Sequence, residues 1–129
     1  MILGGLAEPV SLLREDAEHV LISERGAGQV RRVRVKDGRS TVVAEGLRAP
    51  EGLTRTLDGT LLIADVDQRA VFAVEEGELR AIAEDLPIGF EAPPGTPAAF
   101  IPTGLATLRD GTVLLSADQN ASVLRLTPP

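Results

Sequence analysis

The side chains able to do chemistry are few and recur at related places. Glu51 stands in Pro50-Glu51-Gly52, just ahead of an apolar run at residues 53–57. Glu24, Asp65 and Asp118 each follow a shorter apolar run, where a strand would leave its sheet. His19 is the single histidine of the chain. It falls in a turn at residues 15–19 with no partner in view, so a Ser-His-Asp arrangement is not credible and an exposed bystander is expected. Gly26-Ala27-Gly28 leads into a strand pattern and not a helix, so it is no phosphate cradle. Arg31, Arg32, Arg34 and Lys36 alternate with Val30, Val33 and Val35, the pattern of a strand with a solvated basic face.

The elements that must carry these residues are strands. Residues 46–86 hold four short apolar runs, at 53–57, 61–64, 70–74 and 79–83. Asp58-Gly59, the polar stretch 65–69 and Glu76-Gly77 separate them, as turns separate the strands of hairpins. Four meandering strands in about 40 residues is the size of one β-propeller blade. A shift of 41 residues lays this unit on the N-terminal segment, with Pro9 under Pro50, Leu12 under Leu53 and Val20-Leu21-Ile22 under Leu61-Leu62-Ile63. Ala17-Glu18 stands opposite Asp58-Gly59, so the first unit must close that turn differently. A third copy follows 52 residues after the second: Pro102-Thr103-Gly104-Leu105 matches Pro50-Glu51-Gly52-Leu53, and Asp110-Gly111-Thr112 matches Asp58-Gly59-Thr60.

The expected fold is all-β: half of a six-bladed β-propeller, three four-stranded antiparallel blades at about 5–47, 47–86 and 100–127. The third copy stops before its fourth strand, while residues 1–3 resemble the end of one. Residues 87–100 are an insert with four prolines, unable to join a sheet interior because proline lacks the ladder donor. Such a loop is either functional or a cover over apolar edges.

A hydrophobic content of 43% suffices for a core, built almost without aromatics because three Phe are present with no Trp or Tyr. Without cysteine there is neither disulfide nor thiolate metal site. A net charge of −6 argues against nucleic acid, whose phosphates it would repel. No segment reaches the ~18 apolar residues of a membrane span, and residues 1–7 lack the basic flank and apolar core of a signal peptide.

The stretches PEGLTRTLDGTLLIADVDQRAVFAV and PTGLATLRDGTVLLSADQNASVLRL resemble the repeat shared by NHL-type propellers and the gluconolactonase (regucalcin)-like family. Leu86-Pro87-Ile88-Gly89-Phe90, the insert and Pro102-Thr103-Gly104-Leu105 more narrowly resemble the C-terminal half of bacterial gluconolactonase-like and scytonemin-cluster propellers. In such enzymes the residue before the inner-strand Gly faces the channel, where acids of several blades converge on one divalent cation. The resemblance therefore makes Val10, Glu51 and Thr103 channel-lining, with Glu51 the one candidate ligand for calcium or a similar cation. It gives Asp65 the task of fixing the next turn by accepting backbone N–H bonds. Asp118 stands one residue late for the same position. The implied function is a metal-dependent lactone or ester hydrolase acting on a small polar substrate. The alternative is a non-catalytic propeller that serves as a protein-interaction or small-ligand platform. Three blades leave a ring open, so closure is expected from a missing N-terminal half or from a symmetric homodimer.

Overall fold

A computed structural model describes residues 1–96 and 101–127 of the chain. The last part of the insert, residues 97–100, lies outside the described residues. Three antiparallel sheets follow one another along the chain. Blade 1 comprises β1 (Pro9–Arg14), β2 (His19–Glu24), β3 (Gln29–Arg34) and β4 (Ser40–Ala44). Blade 2 comprises β5 (Pro50–Arg55), β6 (Leu61–Asp65), β7 (Ala70–Glu75) and β8 (Glu78–Ala83). Blade 3 has β9 (Leu105–Thr107), β10 (Val113–Ala117) and β11 (Ser122–Leu126), so its sheet holds three strands among the described residues. No described helix is long and apolar enough to cross a membrane. The fold is the propeller segment that the repeat implies.

The turns follow from their residues. Glu76 and Gly77 both take positive φ, 51° and 80°, which lets a two-residue turn follow the twist of β7 and β8. Asp58 accepts the Thr60 N–H and hydroxyl across the β5–β6 turn. In blade 1, lacking Asp-Gly there, Asp16 does this work by accepting the N–H groups of Glu18 and His19 at 2.7 and 2.8 Å. Residues 1–6 form no strand. They run against the β3–β4 turn of their own blade, where a Cβ on Gly38 would meet the Ile2 carbonyl oxygen at 2.1 Å. The fourth-strand stub read from the sequence is thus unpaired here, and β11 remains the edge of the blade 3 sheet among the described residues.

Alternation along the strands sorts the core into two layers. Leu21, Val30 and Ala44 of blade 1 pack against Leu53, Leu61 and Ile63 of blade 2. Leu62, Ala64, Val71 and Ala73, on the opposite face of blade 2, pack against Val113, Leu115 and Ala117 of blade 3. β6 is therefore buried at every position, which explains its unbroken apolar run. The first strands of the three blades adjoin, with β5 between β1 and β9. Gly52 allows this, since a Cβ there would come within 2.7 Å of the Thr103 carbonyl oxygen. Ser23 Oγ donates to the Glu51 carbonyl at 2.8 Å, and Thr54 and Thr107 join hydroxyls at 2.9 Å, so both blade junctions also carry a polar bond.

One repeat position is left-handed in every copy: Gly28 at φ 63°, Arg69 at 52° and Ala121 at 53°. Glycine meets that geometry without strain, whereas alanine does not. Ala121→Gly is expected to raise unfolding stability by roughly 0.5–1 kcal/mol, measured by urea denaturation with an unchanged slope.

Candidate functional site

Glu51 lies at the start of β5, between the two blade junctions, and only 2% of it is exposed. Its Oε1 accepts the Thr103 N–H of blade 3 at 2.8 Å. Its Oε2 lies 3.3 Å from Nε of Arg25, which stands on the short 3-10 turn Arg25–Ala27 after β2 of blade 1. One carboxylate thus ties blade 2 to both neighbours. The Arg25 Nη1 also reaches Glu8 Oε2 at 3.1 Å.

These groups border a polar cleft of about 600 Å³ at the end where the inner strands begin. Glu8, Arg25, Arg48, Glu51, Asp67 and Arg69 line it together with Phe90, Glu91 and Ile101 at the insert and Gln119 of blade 3. The insert is held there from its root. Asp118 accepts the N–H groups of Gly89 and Phe90 at 3.0 and 2.6 Å, and Gln119 Nε2 donates to the carbonyls of Ile88 and Gly89.

Burial is the largest influence on the Glu51 carboxyl and pushes its pKa above the ordinary 4.5. The Thr103 N–H and the Arg25 guanidinium pull the other way without cancelling it, and Asp118 adds a small upward push. Glu24 is shifted downward. Burial alone would raise it, but bonds from Gln29, Arg31 and the Ala7 N–H outweigh that.

Of the three positions the resemblance places on the channel, Glu51 lines the cleft. Val10 borders a smaller cavity of about 220 Å³ beside it, shared with Glu8, Pro9 and Arg25. Thr103 is 2% exposed and does not line the cleft. It supports Glu51 through its N–H while its own Oγ1 is buried with no hydrogen-bond partner. The chain entering β9 thus meets the Glu51 carboxylate through its backbone.

The strand-exit acids act as clasps. Asp65 is fully buried and accepts the N–H groups of Arg48, Ala49 and Gln68 at 2.7, 3.2 and 3.1 Å. Glu24 accepts the Ala7 N–H at 3.2 Å, and Asp118 does the same for the insert despite its one-residue offset. Each pins the segment that enters its own blade. His19 is less solitary than expected: its Nδ1 lies 2.9 Å from Asp16 Oδ1, and its side chain is 19% exposed. It borders a separate cavity beside Arg32 and Arg34, whose guanidinium groups pair with Glu15, Asp16 and Asp37. Arg25 was not singled out from the sequence as a partner of Glu51, nor Glu8 as a partner of Arg25. One signal was present, since Arg25 puts a charge where the next repeat has Val66.

A resident hard cation does not fit this donor set. The two Glu51 oxygens are taken by a backbone N–H and a guanidinium, and the equivalent positions are an alkyl side chain and a buried hydroxyl. No group of three or more His, Cys, Asp or Glu that could hold a metal ion occurs among the described residues.

No protein-family model matches the chain, and no curated protein matches it. Solved structures do. A catalytically inactive virginiamycin B lyase from Staphylococcus aureus, with quinupristin, aligns over 96% of this chain with a TM-score of 0.67 and 17% identity. A structure named streptogramin B lyase aligns over 94% with a TM-score of 0.66 and 20% identity. The chain spans 39% and 38% of the lengths of those proteins. At this identity the likeness establishes the β-propeller architecture and nothing finer; it does not bear out the NHL/gluconolactonase assignment.

The upward shift of Glu51 has a definite sign in stability. The folded state binds a proton more tightly than the unfolded one, so this contribution is full below about pH 4.5 and is lost as pH rises through the folded-state value. Glu51→Gln keeps an acceptor for Thr103 and removes the titration. Its unfolding free energy is expected to fall less steeply above pH 4.5 than that of the parent chain, as read from denaturant melts across pH.

Proposed function

We propose that this chain is a propeller segment that binds a small polar molecule in the cleft at the starts of its inner strands. The observation that carries the reading is the buried Glu51 carboxylate, held between Arg25 and the Thr103 N–H at the edge of a cleft of about 600 Å³. That volume suits a small molecule. The wall mixes Arg25, Arg48 and Arg69 with Glu8, Glu51 and Asp67, so a ligand carrying both donors and acceptors is favoured over a simple anion. Phe90 and Ile101 offer an apolar rim, which makes the insert part of the site and not only a cover.

A lactone- or ester-cleaving enzyme is the second reading. What favours it is the raised Glu51 pKa, since a carboxyl moved toward neutrality serves as general acid or base. Against it, the cation such a family uses finds no donor set in these three blades, and His19 stands apart from the cleft.

An NMR titration of the labelled chain separates the readings, with gluconolactone and quinupristin as probes. Binding is expected to move the amide signals of Arg25, Arg48, Glu51 and Gln119 together, and Glu51→Ala is expected to weaken it at least tenfold. Shifts confined to other parts of the chain, or no shifts with either probe, would overturn the reading. Opening of gluconolactone that is lost in Glu51→Gln would select the enzyme.

A further inference from the structure

Every blade here offers one face to the blade before it and the other to the blade after it. Only blade 2 has both covered among the described residues. The same repeat positions show what the others lack. Leu53 is 4% exposed under blade 1, whereas its counterpart Leu12 is 70% exposed. Val71 is fully buried under blade 3, whereas its counterpart Val123 is 67% exposed. Val42, on the Leu12 face, is 42% exposed. The open surfaces are thus the two halves of an interface the chain already makes inside itself.

A hydrogen bond gives the junction its register. In blade 1, Ser23 Oγ accepts the Ser11 N–H at 3.1 Å and gives its own proton to the Glu51 carbonyl of the next blade. Ser116 holds the same repeat position in blade 3 and accepts the Gly104 N–H at 2.8 Å in the same way. Its hydroxyl proton has no described acceptor on a following blade, and the residue is exposed. The position equivalent to Glu51 in blade 1 is Val10.

We infer that a second copy of this chain docks on both open faces, blade 3 of each copy against blade 1 of the other. The two chains then close a six-bladed ring about a twofold axis. Ser116 donates to the Val10 carbonyl of the second copy, while Leu114 and Val123 cover its Leu12. The occupant follows from continuity with the internal junction, since one copy supplies both the missing donor face and the missing acceptor face. A twofold arrangement satisfies both faces at once and leaves no unpaired face to extend a filament. It also brings a second Arg25–Glu51 pair to the same channel, so a ligand on the axis would meet both copies. The docking itself does not rest on the ligand-binding reading.

Sedimentation equilibrium of the 129-residue chain tests this. A species of twice 13.6 kDa is expected, dissociating on dilution. Val123→Asp and Leu12→Asp are expected to give monomers that keep the β-sheet circular dichroism. Because a charge in an apolar face can unfold a chain, Ser116→Ala serves as the milder variant. It is expected to raise the dimer dissociation constant roughly thirtyfold, the share of the two hydrogen bonds that a twofold dimer loses. A well-folded monomer at all concentrations would overturn the inference. So would assemblies that grow without limit, or a dimer that none of the three substitutions weakens.

Discussion

A propeller blade is a sheet with two faces, and each is stabilised by the neighbouring blade that covers it. Blade 2 makes the constraint visible, because β6 is buried along its whole length by blade 1 on one side and blade 3 on the other. At about 25 cal/mol per Å² of apolar area, this face-to-face burial is the main favourable contribution to folding. Aliphatic side chains supply it almost alone, as suits faces that must lie flat on one another. The polar bonds from Ser23 to Glu51 and from Thr54 to Thr107 fix the register that the apolar layers leave loose.

From that constraint the site follows. Stacking blades brings the starts of their first strands together, but of the repeat position they share only the Glu51 copy lines the cleft. In this chain the copies of that position are Val10, Glu51 and Thr103, and their chemistry has diverged. Glu51 is caught between an N–H from blade 3 and a guanidinium from blade 1, an arrangement that makes the carboxylate a strut as much as a binding group. The cleft is assembled from all three blades and the root of the insert, and no single repeat contains it.

The strands, their order and most of their bounds were legible in the sequence, because period-2 alternation and turn residues are local signals. The three left-handed sites at Gly28, Arg69 and Ala121 were less so, since two copies lack the glycine that marks such a turn. The acid clasps could be placed but not fully equated. Asp118 does the work of Asp65 from one residue further along, where the chain path and not the residue count decides the match. The pairing of Arg25 with Glu51 was not legible, because it depends on how far a side chain reaches across a blade junction. His19 was paired to Asp16 by a turn whose closure the Asp-Gly pattern did not describe.

Native-state hydrogen exchange at the Thr103 amide bears most directly on this picture of Glu51 as the tie between blades. If the carboxylate holds the chain entering blade 3, the Thr103 N–H exchanges slowly in the parent chain. In Glu51→Ala it should become fast while the amides of β6 keep their protection. Equal exchange of Thr103 in the two proteins, with β6 protected in both, would contradict the account.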